Sequence, residues 1–287
     1  MLGIEPAANV AETANANGVN TMCAFFGLKL ARSLRAEGTE ADLLLGNNVL
    51  AHVPDLNDFV AGLAHLLARD GVLTMEFPHL ARLIAEAQFD TIYHEHFSYF
   101  SLLVVERVFA RHGLYLFDVE ELATHGGSLR IFAARTDGPE RATGADLIKV
   151  RADETAMGLD SISGYAGFQA RVEAIRGGLL AFLDNAQRDG KTVAAYGAAA
   201  KGNTLLNFCA VDTSRITYVA DVSDAKQGRL LPGSKIPIVA PDRLRDTKPN
   251  YVLILPWNLK REITVAHDYV ADWGGRFVVA VPELTIL

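Results

Sequence analysis

Cysteine is almost absent: Cys23 and Cys209 are the only two in 287 residues, and they lie far apart in the chain. Two such thiols exclude a disulfide framework and a cysteine-based zinc site, and they fit a reducing, cytoplasmic setting. Clustered basic charge is also lacking. The net charge is −7, and no stripe of Lys and Arg stands ready to neutralise a phosphate backbone, so no nucleic-acid partner is expected. No apolar run is long enough to span a bilayer, and Met1-Leu2-Gly3-Ile4-Glu5-Pro6 lacks the basic-then-apolar order of a secretory signal. A membrane partner is therefore not expected either. The chain has no internal repeat, no Walker loop and no Gly-x-Gly-x-x-Gly turn, which leaves NAD binding only weakly signalled.

What is present is the pattern of an α/β protein. Residues 2–5 read as the end of a strand closing on Glu5, followed by an Ala- and Asn-rich helix over 7–17. An acid at the end of a second parallel strand accepts ribose hydroxyls in dinucleotide-type folds; the simpler reading of Glu5 is a charge near a helix dipole. A helix is expected over 27–38, then an apolar run from Ala41 that reads as a strand buried on both faces and ends at Asn47 and Asn48. Further helices are expected over 55–70, 80–88 and 104–112, a strand over 71–78, and two antiparallel strands over 114–119 and 128–133. Polar residues 137–155 read as a linker, and residues 159–188 as one long amphipathic helix. Strands at 191–196, 216–221, 251–255 and 276–282, with a helix over 259–272, make a second βαβ unit.

Two stretches carry chemistry. Tyr93-His94-Glu95-His96-Phe97-Ser98-Tyr99 packs two histidines, a glutamate and two tyrosines into seven residues. Histidine titrates nearest neutral pH, and a neighbouring carboxylate or phenol sets its tautomer, so the cluster can hold a general base. The alternative is an aromatic turn whose histidines only cap neighbouring elements. In Tyr196-Gly197-Ala198-Ala199-Ala200-Lys201-Gly202-Asn203 a strand enters a small-residue turn and a helix, so first-turn amides and Lys201 could hold a phosphate. A glycine turn required only for packing is the competing reading.

Gly46-Asn47-Asn48-Val49-Leu50-Ala51-His52-Val53, the Tyr93–Phe100 cluster, His125-Gly126-Gly127-Ser128-Leu129-Arg130, Tyr196–Asn203 and Leu255-Pro256-Trp257-Asn258 occur in this order along the chain. Together they resemble the S-adenosylmethionine-dependent nucleotide-sugar C-methyltransferases, which act on nucleotide-diphosphate keto-deoxysugars. The resemblance covers essentially the whole chain and implies a partial Rossmann-like methyltransferase domain over residues 1–140. A linker and long helix over 141–189 and a second, smaller Rossmann-like βαβ domain over 190–287, which would bind the nucleotide sugar, would follow.

It implies His96 as general base with Tyr93 and Glu95 orienting it or touching substrate. Glu5, Asn47, Asn48 and His52 would lie at the S-adenosylmethionine donor, and His125, Lys201, Asn203, Lys226 and Asn258 at the sugar nucleotide. No metal is needed. The family begins with a cysteine-rich zinc domain and a glycine-rich donor loop that this sequence does not contain. The chain is therefore expected to be N-terminally truncated relative to the family, to bind donor poorly alone, and to pair with another chain at its front. A nucleotide-sugar- or NAD-binding module without methyl transfer, or a folded remnant without activity, are the rival expectations.

Overall fold

A computed structural model describes residues 1–287. The chain forms two compact units, the first with a two-stranded and a four-stranded sheet and the second with a six-stranded sheet. The first comprises residues 1–81, 96–123 and 127–164; the second comprises 82–95, 124–126 and 165–287. The α/β class is the one that the strand and helix patterns announce. No helix is long and apolar enough to cross a membrane.

The first unit begins with β1 (Gly3–Glu5), α1 (Ala8–Ala16) and β2 (Thr21–Cys23), in which β1 and β2 pair in parallel. After α2 (Leu28–Ala36) come β3 (Ala41–Asn47), α3 (Leu56–Leu66) and β4 (Leu67–Pro78). The chain goes on through α4 (Leu80–Ala85), α5 (Leu102–Arg111), β5 (Leu114–Leu122) and β6 (Ser128–Arg135) to α6 (Ala145–Ala156). The main sheet runs β3-β4-β6-β5, parallel between β3 and β4 and antiparallel elsewhere. Its core joins Leu50, Phe59, Leu73, Phe77, Phe109 and Ile131, among others. Asp55 starts α3 by accepting the Asp58 amide (3.0 Å), and Ser101 starts α5 by accepting the Val104 amide (3.3 Å), as short polar N-caps do.

Three expectations are corrected here. β3 is not buried on both faces: Leu43 and Leu45 are 55% and 69% exposed. It lies at the edge of the four-stranded sheet, and only its Leu44 and Gly46 face packs inward. Residues 137–155 are not a linker throughout, because 145–156 form α6, which buries Leu147, Val150 and Glu154. Those three positions recur at helical spacing, but one is a carboxylate and the intervening Asp146, Lys149, Arg151 and Asp153 give the stretch its polar look. The helix expected over 159–188 starts only at Phe168, after a tight turn over Ile162–Tyr165 and a left-handed Gly167 (φ 87°).

The second unit contains α7 (Phe168–Arg188), β7 (Val193–Tyr196), α8 (Ala200–Phe208), β8 (Val219–Ala220) and β9 (Ile238–Val239). It continues with α9 (Arg243–Thr247), β10 (Tyr251–Ile254), α10 (Lys260–Ala266), β11 (Arg276–Val279) and β12 (Thr285–Ile286). The sheet order is β12-β11-β10-β7-β8-β9, parallel except for β12. All four β7 residues are buried, which is why this strand reads as a continuous small apolar run. The expected helix over 259–272 divides into α10 and a tight turn over Asp268–Trp273. The strand order reverses between β7 and β10, and ligands of open α/β sheets bind at the carboxyl ends of strands at such a switch point. Here the chain leaves β7 through Gly197 and β10 through Pro256-Trp257-Asn258. Gly197 (φ 87°) has no room for a side chain, since a Cβ would stand 2.5 Å from the Pro256 ring.

Candidate active site

In the first unit, the carboxyl end of β3 leads directly into the turn Leu50–His52. Asn48 adopts a left-handed conformation (φ 54°), its amide donates to the Glu76 carbonyl (2.8 Å), and its Oδ1 is buried without a hydrogen-bond partner. The left-handed region suits asparagine better than most residues. The histidine-bearing segment is pinned to this turn from the other side: the amides of Phe97 and Ser98 both donate to the Ala51 carbonyl (2.8 and 3.3 Å). That pinning sets His96 beside His52, with ring centroids 4.8 Å apart and the planes tilted by 60°, and beside Tyr99 at 5.8 Å, nearly edge to face. His52 and His96 thus meet in the turn that follows β3, the strand that Asn47 ends.

Beside them runs a row of polar side chains across the sheet: Asn47 opposite Glu76, Glu76 opposite Arg130, and Arg130 opposite Glu120. Arg130 donates to Glu76 (2.8 Å) and Glu120 (3.0 Å), and these carboxylates, Glu76 foremost, hold its guanidinium above its usual pKa. Glu5 ends β1, where its Oε1 accepts the Ala7 amide at 2.8 Å. Tyr93 and Glu95 directly precede His96 in sequence and belong to the stretch grouped with the second unit.

A buried pair outside the expected set holds the histidine segment from behind. Glu154 is fully buried; its Oε1 accepts from His79 Nε2 (2.7 Å) and the Leu102 amide (2.6 Å), and its Oε2 accepts from the Leu103 amide (3.0 Å). The last two amides belong to the first turn of α5, whose unpaired N–H groups favour a negative charge. His79 follows β4 and bridges to Phe100, whose carbonyl accepts the Leu80 amide (2.9 Å).

The second unit gathers the other expected residues around α8. Lys201 Nζ donates to Asn258 Oδ1 (2.8 Å) and stands 4.5 Å above the Trp257 ring. Asn203 lies in the first turn of α8 with its Oδ1 buried and unpartnered. Lys226 Nζ reaches the Ala198 carbonyl (3.0 Å) and Asp221 (3.5 Å). His125 is exposed with φ 58°, beside Gly126. Asp221, the acid that ends the strand after β7, is 7% exposed and turned inward: one oxygen accepts the Ala198 amide (2.7 Å), the other the Ser223 amide (2.8 Å). A dinucleotide site would need that acid for a ribose, whereas here it shapes the turn.

Asp90 is the residue that sequence reasoning passed over. It is completely buried, its Oδ2 accepts from Trp257 Nε1 (2.8 Å), and its Oδ1 has no hydrogen-bond partner. The available signal was an aspartate set between Phe89 and Thr91 in apolar company. Burial pushes its carboxyl from the usual 3.8 to about 6, against the opposing pull of the Trp257 hydrogen bond and the Lys201 charge. Burial likewise draws the Lys201 ammonium below its usual pKa, with the Asp90 charge opposing. Because the native carboxyl binds its proton more tightly than the unfolded one, stability rises as pH falls from about 6 towards 3.8. Keeping Asp90 ionised above that window costs about 3 kcal/mol. D90N retains an oxygen for the indole and removes the charge. It should be more stable than wild type by that order in urea titrations at pH 8, with the advantage shrinking through pH 6 and gone near pH 4.

Residues 123–282 match a family model described as the C-methyltransferase C-terminal domain. The whole chain aligns at 38% identity over 289 residues with the C-methyltransferase NovU of Streptomyces niveus, covering 100% of this chain and 68% of that protein. The chain belongs to the C-methyltransferase family. The part of this C-methyltransferase matched by the family model carries His125, Lys201, Asn203, Lys226 and Asn258, and the NovU alignment extends over Asn47, His52 and His96 as well.

Among solved structures, magnesium protoporphyrin IX methyltransferase from Synechocystis PCC 6803 with bound SAM is 15% identical to the C-methyltransferase chain. The alignment covers 47% of this chain and 58% of that one, with a TM-score of 0.34. A possible histamine N-methyltransferase from Thermotoga maritima is 16% identical over 47% of this chain and 72% of its own, at a TM-score of 0.37.

Proposed function

We propose that this chain carries the base and the substrate-binding half of an enzyme that methylates the carbon beside the ketone of a nucleotide-diphosphate keto-deoxysugar, using S-adenosylmethionine. The observation that carries the reading is the His96 ring held beside His52 and edge-on to Tyr99, next to the turn that follows β3 with its Asn47 and Asn48. A carbon next to a ketone becomes nucleophilic only once its proton is removed. Neutral His96 takes that proton, the C–H electron pair passes into the enolate, and Tyr93 and Glu95 orient the base or touch the sugar. Carbon–carbon bond formation follows as the methyl–sulfur bond breaks and sulfur leaves with the electron pair. The donor supplies an electrophilic methyl group. The unpartnered Asn48 Oδ1 fits its amino or hydroxyl donors, and Asn47, His52 and Glu5 complete the set of residues that would hold it.

Lys201, Asn203, Lys226 and Asn258 take the diphosphate and its nucleoside, with the α8 amides as donors and His125 at the sugar. The inward-turned Asp221 weighs against a nicotinamide dinucleotide in this place.

The test is incubation with methyl-labelled S-adenosylmethionine and a panel of nucleotide-linked keto sugars, read by a mass gain of one methyl on the sugar. A parallel incubation in deuterated water reads exchange beside the ketone. Labelled sugar together with exchange supports the reading. Absence of both across the panel, or label on an oxygen or nitrogen, overturns it. Titration calorimetry with S-adenosylmethionine alone measures how tightly the 287-residue chain holds its donor.

A further inference from the structure

Three segments that are distant in sequence meet on one indole ring. Trp257 follows β10 at the switch point of the second sheet and is 7% exposed. Its Nε1 donates to Asp90, its face carries the Lys201 ammonium, and its edge closes on the turn at His125 and Gly126. Contact with that turn is tight enough to require glycine: a Cβ on Gly126 would lie 2.5 Å from the Trp257 ring, and the left-handed backbone (φ 95°) would strain any other residue. Gln88, 4% exposed, secures the same turn by donating to the Gly126 carbonyl (2.7 Å). The short turn Phe89–Thr91 that presents Asp90 is itself docked on α8 through the Phe89–Phe208 ring contact at 5.0 Å. Asn258, next in the chain, holds the Lys201 ammonium from its other side.

We infer that Trp257, anchored by Asp90, is a positioning residue for the substrate half of the site: it fixes where the Lys201 ammonium and the His125–Gly126 turn stand. The inference rests on the reading of Lys201, Asn258 and His125 as substrate-binding residues. It adds that their arrangement depends on a side chain that touches no reacting atom. A hydrogen-bonded indole suits the task because the plane of the ring is set by one buried acceptor. The face above that plane then offers a lysine an attractive seat that leaves part of its ammonium free for an anion.

The experiment compares W257L, D90L and D90N with wild type. Thymidine diphosphate and uridine diphosphate binding is followed by calorimetry, and steady-state methyl transfer by KM and kcat. The expected result is a loss of diphosphate affinity of more than tenfold in W257L and D90L, carried by KM with kcat changed less than threefold. D90N, which keeps an acceptor for the indole N–H, should remain within about threefold of wild-type affinity. A ligand-free readout uses W273F, in which Trp257 is the sole tryptophan. In that background D90L should shift the emission and at least double acrylamide quenching, and D90N should not. Wild-type diphosphate affinity in folded W257L and D90L, wild-type Trp257 emission in D90L on the W273F background, or equal losses in D90N and D90L, would overturn the inference. If wild type transfers no methyl group while W257L and D90L still lose diphosphate affinity as expected, the methyl-transfer reading fails and the positioning role stands.

Discussion

With His96 as the proposed base, its replacement by alanine should remove exchange of the hydrogen beside the ketone and lower kcat for methyl transfer by about 10²–10⁴-fold, the usual contribution of a positioned general base. The expectation rests on the pinning of Phe97 and Ser98 to Ala51 and on the His96 ring lying beside His52 and edge-on to Tyr99. His94, two residues earlier, is exposed and supplies the control. H94A should retain activity within a few-fold, since its imidazole has no comparable seat. Deuterium incorporation, followed by proton NMR of the sugar nucleotide, separates the two variants without requiring methyl transfer at all. Exchange retained in H96A and lost in H94A would reassign the base.

Glu154→Ala destabilises the first unit by about 3–5 kcal/mol, because it strands two buried helix amides and a buried imidazole at once. Its carboxylate accepts from one side chain and two first-turn amides of a helix together. A large part of the loss should persist in E154Q, whose amide group presents a donor towards donors. Urea titration by far-ultraviolet circular dichroism gives the difference in unfolding free energy, and a loss below about 1 kcal/mol in E154A would show that water or local repacking satisfies the amides. The variant also bears on chemistry. Glu154 ties His79 to the start of α5, and Phe100 between them follows directly on His96 to Tyr99.

Element by element, the legible parts of the chain were those whose burial follows a simple period. The all-apolar β7 and the alternating β6 were readable because a strand buried on both faces, or on one, imposes that pattern on the sequence. α6 escaped because its inward face includes a carboxylate, so helical spacing was present but its chemistry pointed outward. β3 was misjudged for the opposite reason: its leucines suggested two covered faces, and one of them is open.

The sequence by itself determined the α/β class, the succession of most elements and the set of motifs that marks a C-methyltransferase, because these depend on local periodicity and on residue types required by the chemistry. Tertiary structure alone decided which motifs share a site. Nothing in sequence spacing brings His52 to within 4.8 Å of His96, joins Asp90 to the Trp257 indole 167 positions along the chain, or turns Asp221 inward to a backbone amide. Those contacts arise from the crossing of strands and the burial of turns. Their physical requirement is that every polar group removed from water find a partner, wherever in the chain that partner lies.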